Sequence, residues 1–246
     1  MTGELPGSAF VGRAVELRRL DAVLDRAEQG SPQVVLLAGD AGVGKTRLLL
    51  ALAERARRRG TRVLAGGCVE LGDIGLAYLP VVDALHELTD DPEEARLLAD
   101  AAMTAPGLGR LLPGIEPVGL TGDDGLDQLQ VLDAVRAVLV GLAERSPVLL
   151  VLEDLHWADR ATRDLVAFLA RTLRSGRVTL AVSYRSDELH RRHPLRPLLA
   201  ELVRLPQVER LELASFTRSE RVEHLEAIAG ASLSTVQLDG IYTRSE

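Results

Sequence analysis

Lysine is all but absent from this chain. Of the 29 basic residues only Lys45 is a lysine, and asparagine is missing altogether. An arginine excess of this kind is the mark of a GC-rich coding sequence and says nothing about fold. Cysteine is reduced to Cys68, which excludes an internal disulfide framework and suits a reducing cytosol. No cluster of metal-ligating residues stands out in the sequence. Positive charge is not in surplus either, since 29 basic against 36 acidic residues leave a net charge of −7. A general nucleic-acid surface needs a clustered positive field, so DNA contact is expected only through a C-terminal domain absent from this segment. No run of about 18 apolar residues is present, and the start Met1-Thr2-Gly3-Glu4 has no basic stretch leading into an apolar one. The expectation is a cytoplasmic protein with no membrane contact. Its 246 residues, 46% hydrophobic and 26% charged, can bury a substantial core in one large domain with at most a small appendage.

The one lysine sits in Gly39-Asp40-Ala41-Gly42-Val43-Gly44-Lys45-Thr46. The spacing G-x-x-x-x-G-K-T is the P-loop pattern, in which backbone N–H groups wrap phosphates, the lysine reaches the terminal ones and the threonine hydroxyl holds Mg²⁺. A flexible stem delivering a compact ammonium is chemistry that arginine does not reproduce. The surroundings agree with the pattern. Residues 33–38 read as a short apolar strand and 47–59 have helical spacing, so the glycines fall where a strand turns into a helix N-terminus.

Further along, 13–29 place Leu17, Leu20, Val23, Leu24 and Ala27 on one helical face. A second strand is predicted at 62–66, with helices near 80–88 and 92–102. The Gly- and Pro-rich stretch 106–125 reads as irregular. Leu126, Leu129, Leu132, Val135, Val138, Leu139 and Leu142 then describe a long amphipathic helix. Strands are predicted at 148–152, 178–184 and 208–213, with helices over 160–173, capped by Asp159, and 217–229. Strands separated by helices in this way give a doubly wound parallel sheet.

The strand at 148–152 runs directly into Glu153-Asp154. In a P-loop enzyme one acid holds the metal's water shell and another polarises the attacking water, and both belong at the carboxyl end of a buried strand. Arg185 leaves a strand that fits beside the P-loop strand, where a guanidinium can contact a γ-phosphate. Trp157 reads as packing beneath the following helix and His156 as its polar neighbour. Cys68 reads as a core residue. The arginine runs 55–62 and 185–196 read as solvated faces, with Arg191 or Arg192 as an alternative finger toward a neighbouring subunit's nucleotide.

Phe10-Val11-Gly12-Arg13 with Glu16 and Leu17, the P-loop, LLVLEDLHWAD from Leu149 to Asp159, and VSYRSDEL from Val182 to Leu189 occur in that order. Together they resemble the AAA-type ATPase domain of the STAND class. The chain is similar, from about residue 8 onward, to the N-terminal module of large ATP-binding LuxR-family transcriptional regulators; modules of multidomain adenylate cyclases and kinase-linked regulators also look like it.

The resemblance implies an AAA-type P-loop fold with a five-stranded parallel sheet and the start of a small helical lid. Its boundaries are a flexible N-terminus at 1–9, an ATP-binding domain at 10–214 and a partial lid at 215–246. The lid is expected to be cut short before its nucleotide-contacting loop. ATP or ADP with Mg²⁺ is the implied ligand. Val11 and Arg13 match the segment that lies against the adenine, and Gly42, Val43 and Gly44 supply amides. Lys45 and Thr46 match the phosphate and Mg²⁺ ligands, and Arg185 the sensor. Glu153 stands where the family usually has aspartate, and Asp154 where AAA enzymes carry the catalytic glutamate. Both acids depart from the pattern, which leaves their two roles unassigned and suggests weak water activation. The implied activity is a slow, Mg²⁺-dependent ATPase acting as a switch, with nucleotide-dependent self-association. A fast AAA-type motor or loader, and a scaffold that never hydrolyses, are the alternatives.

Overall fold

The structure, a computed structural model, describes residues 13–70, 76–112 and 124–216. The N-terminal stretch 1–9, Val11, nearly all of the lid with its helix at 217–229, and residues 113–123 lie outside these.

In chain order the elements are α1 (Ala14–Glu28), β1 (Gln33–Gly39), α2 (Lys45–Arg58), β2 (Arg62–Gly67), α3 (Leu79–His86), α4 (Pro92–Thr104), α5 (Asp124–Arg145), β3 (Val148–Glu153), α6 (Arg160–Thr172), β4 (Val178–Arg185), α7 (Leu195–Leu202) and β5 (Val208–Leu213). The five strands form one sheet in the order β2-β3-β4-β1-β5, every pair parallel. The predicted fold class is therefore the observed one.

Strands this apolar are stable only with both faces covered. Alternate residues of each strand meet different layers. Val34, Leu36 and Ala38 of β1 and Val148, Leu150 and Leu152 of β3 pack into the larger core with α3 to α7. Val35, Leu37, Leu149 and Val151 face the smaller core, which α1 and α2 close with Leu20, Val23, Leu48 and Leu52. The α1 face is the predicted one, with all five of its apolar residues buried.

Five differences from the sequence expectations stand out. Strands β1 to β4 each run one residue further than their apolar runs, because parallel pairing continues to Gly39↔Arg185 and Gly67↔Glu153 at the carboxyl edge. In α5, Leu126 and Leu129 are 53% and 51% exposed. The inward position of that first turn belongs instead to Asp127, buried and paired with Arg110 at 2.6 Å. Arg110 ends a 3₁₀ turn, Pro106–Arg110, so that part of the supposedly irregular stretch is ordered against α5. The run 55–62 is not merely solvated. Arg55 of α2 and Arg59, just past its end, bridge to Asp21 and Asp25 of α1 at 2.6 to 3.0 Å. Finally, α7 starts at the end of the 185–196 arginine run and was not predicted, although Leu195, Leu199 and Leu202 form its buried face.

Cys68 is buried as expected. Burial, helped by the carboxylates of Asp159 and Asp154, pushes its thiol up to about 12 from 9.0. A raised pKa stabilises the fold below the unfolded value and loses that contribution as pH climbs toward the folded one. At about pH 9, where a free cysteine is largely thiolate, alkylation of Cys68 should be at least about tenfold slower in the folded chain than in urea; equal rates would place the thiol at the surface. Leu150→Ala, emptying a fully enclosed position in β3, should cost about 3 kcal/mol in urea unfolding.

Candidate functional site

Gly39 closes β1 and α2 opens at Lys45, with the loop between them turned by Gly42 at φ 74° and Gly44 at φ 97°. Both angles lie in the left-handed region, where a side chain adds strain. Gly44 caps α2 without a side-chain bond, and the first turn of the helix contains no acid. The positive end of α2 is thus left for an external anion.

Lys45 is buried at this end, and its ammonium donates to the carbonyls of Gly39 and Asp40 at 2.8 and 2.7 Å. Burial pushes it below the ordinary lysine range. The carboxylates of Asp154, Asp187 and Asp40 oppose that shift and the charge of Arg185 adds to it. Beside it, the Thr46 hydroxyl donates to a Glu153 carboxylate oxygen at 2.6 Å. A hydroxyl and a carboxylate held together next to a helix-end anion site are the oxygen donors a hard divalent cation takes when it bridges to phosphate. No group of three or more His, Cys, Asp or Glu side chains able to hold a metal by themselves occurs among the described residues.

Asp154 follows with left-handed angles, φ 56° and ψ 45°, a conformation costing of order 1–3 kcal/mol for a residue with a side chain. It is held there from both sides. Its N–H donates to Ser183 Oγ at 3.1 Å, and its carbonyl accepts from Trp157 N–H at 2.9 Å within the 3₁₀ turn Leu155–Trp157. Strand β4 supplies Ser183 and, at its end, Arg185.

The Arg185 guanidinium lies 5.0 Å from the centre of the Trp157 ring and donates to Glu188 at 2.5 Å. Its backbone N–H donates to Nδ1 of His156 at 3.4 Å. Burial lowers the pKa of His156, against the pull of Glu188 and Asp154, and an accepting Nδ1 puts the ring proton on Nε2. That Nε2 lies 3.3 Å from Glu188 but off the line of a hydrogen bond. The loop after β4 also touches the P-loop. Ser186 N–H donates to the Gly39 carbonyl at 3.2 Å, and Ala41 N–H to Asp187 at 3.4 Å. Asp187 and Glu188 were not singled out from sequence. Their position two and three residues past Arg185 was the available signal.

Arg13, in left-handed backbone at the head of α1, is buried and occupied within the protein. It donates to the carbonyls of Val43 at 3.3 Å and Ala214 at 2.5 Å, pairs with Glu16 at 3.2 Å and stacks on Phe216 at 4.5 Å. It therefore clasps the P-loop to the exit of β5. The structure brings Gly42, Val43, Gly44, Lys45, Thr46, Glu153, Asp154 and Arg185 to one end of the sheet. Val11 lies outside the described residues.

A parallel sheet with one strand between its P-loop strand and its acid-bearing strand, and with this loop at its carboxyl edge, is that of a P-loop NTPase. The AAA ATPase domain profile matches residues 9–183, and the chain belongs to that family. An uncharacterized protein of Rhizobium meliloti (strain 1021) is 28% identical over 229 residues, 81% of this chain and 21% of that protein. The chain thus spans about a fifth of that relative's length. Among solved structures, Drosophila ORC bound to DNA is similar at a TM-score of 0.46 and 14% identity, over 84% of this chain and 95% of that one. AMPPCP-bound DnaA from Aquifex aeolicus gives 0.45 and 14%, over 94% and 55%. The Thermotoga maritima RuvB Holliday junction branch migration motor gives 0.43 and 17%, over 90% and 51%. An AAA ATPase fold implies nucleotide binding, and the donors described above suit a phosphate chain. No helix among the described residues is long and apolar enough to cross a membrane.

Removing the Arg13 guanidinium strands two carbonyls at the base of the site. Arg13→Ala should cost about 1–3 kcal/mol in urea unfolding, and Arg13→Lys should restore it only in part, since an ammonium lacks the second nitrogen that pairs with Glu16 and the planar group that lies over Phe216. Native-like stability in the alanine variant would contradict the clasp.

Proposed function

We propose that this domain is an ATP-binding, slowly hydrolysing nucleotide switch of the kind found in STAND-class LuxR-family regulators. The observation that carries the reading is the Thr46–Glu153 hydrogen bond of 2.6 Å, which joins the P-loop helix to the acid strand. Lys45 and the amides of Gly42, Val43 and Gly44 would hold the phosphates. Thr46, Glu153 and Asp154 would hold Mg²⁺, which when bound neutralises phosphate charge. Asp154, whose backbone N–H is held by Ser183 of β4, would orient water and accept its proton, and Arg185 would meet the γ-phosphate. Val11 and Arg13 remain the proposed neighbours of the base.

Slow turnover is supported by two features. Asp154 is one methylene shorter than the glutamate AAA enzymes use, and Arg185 is already engaged by Glu188. An ATP state competent to self-associate, reset by hydrolysis, follows the switch logic. The exposed Arg191 and Arg192 are available to a neighbouring subunit. With a net charge of −7, DNA contact would fall to other parts of a regulator. The motor or loader reading, and that of a module in a cyclase or kinase regulator, have the same fold and site behind them.

Turnover separates these. Lys45→Ala should weaken ATP binding by at least about tenfold, the value of a charge-assisted contact, and unchanged affinity would refute the site. Asp154→Asn should leave binding intact and slow single-turnover hydrolysis. Native hydrolysis near an ordinary enzyme rate of about 10 s⁻¹ would favour the motor over the switch.

A further inference from the structure

Among the carboxylates around the site, Glu188 is placed differently from the rest. It sits between Arg185 and His156, the two groups that flank the P-loop and the acid pair. One of its oxygens accepts from the Arg185 guanidinium at 2.5 Å, and the other lies 3.3 Å from Nε2 of the buried His156. His156 and Trp157 belong to the turn directly after Asp154, and Trp157 carries Arg185 on its ring. The Arg185 backbone pairs with Gly39 at the mouth of the P-loop, and its charge is near enough to depress the Lys45 ammonium.

We infer that Glu188 is a positioning residue that competes with a γ-phosphate for Arg185, parking the guanidinium against Trp157 until a triphosphate draws it across. The inference rests on the proposed nucleotide site. Both partners of the pair are part-exposed, at 31% and 36%. A pair of that kind is held weakly, while a γ-phosphate offers guanidinium more negative charge and more acceptors than one carboxylate. The latch therefore discriminates triphosphate from diphosphate, because only the former carries the competing group. His156 contributes by fixing the backbone from which Arg185 springs, through the hydrogen bond from Arg185 N–H to its Nδ1. Trp157, the only tryptophan in the chain, makes the exchange visible. A cation leaving its ring changes its surroundings.

The test compares ATP and ADP binding by Glu188→Gln with the native chain, using a non-hydrolysable ATP analogue and Mg²⁺. The preference for triphosphate should rise about fivefold, the equilibrium value of a half-exposed ion pair, and the same substitution should change nothing in an Arg185→Ala background. In the native chain the analogue should alter Trp157 emission more than ADP does, and Arg185→Ala should remove that difference. An unchanged or reduced preference in Glu188→Gln overturns the latch. Equal emission changes with the two nucleotides overturn it as well, without relying on a substitution at Glu188. Failure of the native chain to bind either nucleotide overturns the site reading itself, and the latch with it.

Discussion

The placement of β4 between β1 and β3 is the constraint from which the rest of the site follows. Parallel strands in register bring their carboxyl ends to one edge, so Gly39, Arg185 and Glu153 emerge side by side. The intervening strand sets the width that the P-loop helix and the acid strand must span. The Thr46 hydroxyl and the longer of the two neighbouring acids, Glu153, meet across it at 2.6 Å. A glutamate where the family usually has aspartate is intelligible in this light, since the extra methylene helps the carboxylate reach the threonine. Ser183, two residues before Arg185, uses the same strand to hold Asp154 in its strained conformation. The P-loop, the acid pair and Arg185 are therefore set by one backbone register, with little dependence on long loops.

Much of this was legible in the sequence for specific reasons. The P-loop fuses a glycine requirement, a lysine and a threonine into eight residues, and its neighbours alternate clearly between strand and helix. Strands β1, β3 and β4 were visible because each is a compact apolar run buried on both faces, while the edge strands β2 and β5 are short and only partly buried. The α1 stripe was visible because its period of 3.6 is unbroken. What escaped depends on pairing between distant residues. Asp127 occupies the core-facing slot of the first turn of α5 because Arg110 neutralises it, and no helical pattern announces that partnership. The α1–α2 ion pairs looked like a solvated arginine run because Asp21 and Asp25 are more than 30 positions away. Strand order was likewise absent from the local pattern. With it went the closeness of Arg185 to the P-loop, which was only an expectation until β1 and β4 were seen paired.

Charge is distributed to the same end. Arginine serves where several nitrogens are engaged at once, as in Arg13, whose Nη2 donates to Val43 and Ala214 while Nη1 pairs with Glu16, and Arg177, whose Nε and Nη2 both donate to Ala143. The lone ammonium sits where a narrow loop admits a point charge and where burial lowers its pKa against three nearby carboxylates. Those carboxylates also set negative charge around the ammonium. Lys45 satisfies two loop carbonyls while Asp187 takes an amide of the same loop. Through Asp187 and Ser186 the segment after β4 is tied to the P-loop.

The central claim is that the P-loop helix and the acid strand together form one nucleotide–metal site. ATP affinity measured by calorimetry with Mg²⁺ and with a chelator, in the native chain and in Thr46→Val, tests it most directly. The account predicts that Mg²⁺ tightens ATP by about tenfold or more in the native chain, in keeping with a cation shared between protein oxygens and phosphate, and that Thr46→Val abolishes most of that dependence. An ATP affinity that is the same with and without Mg²⁺, or a Mg²⁺ effect untouched by loss of the hydroxyl, would contradict it.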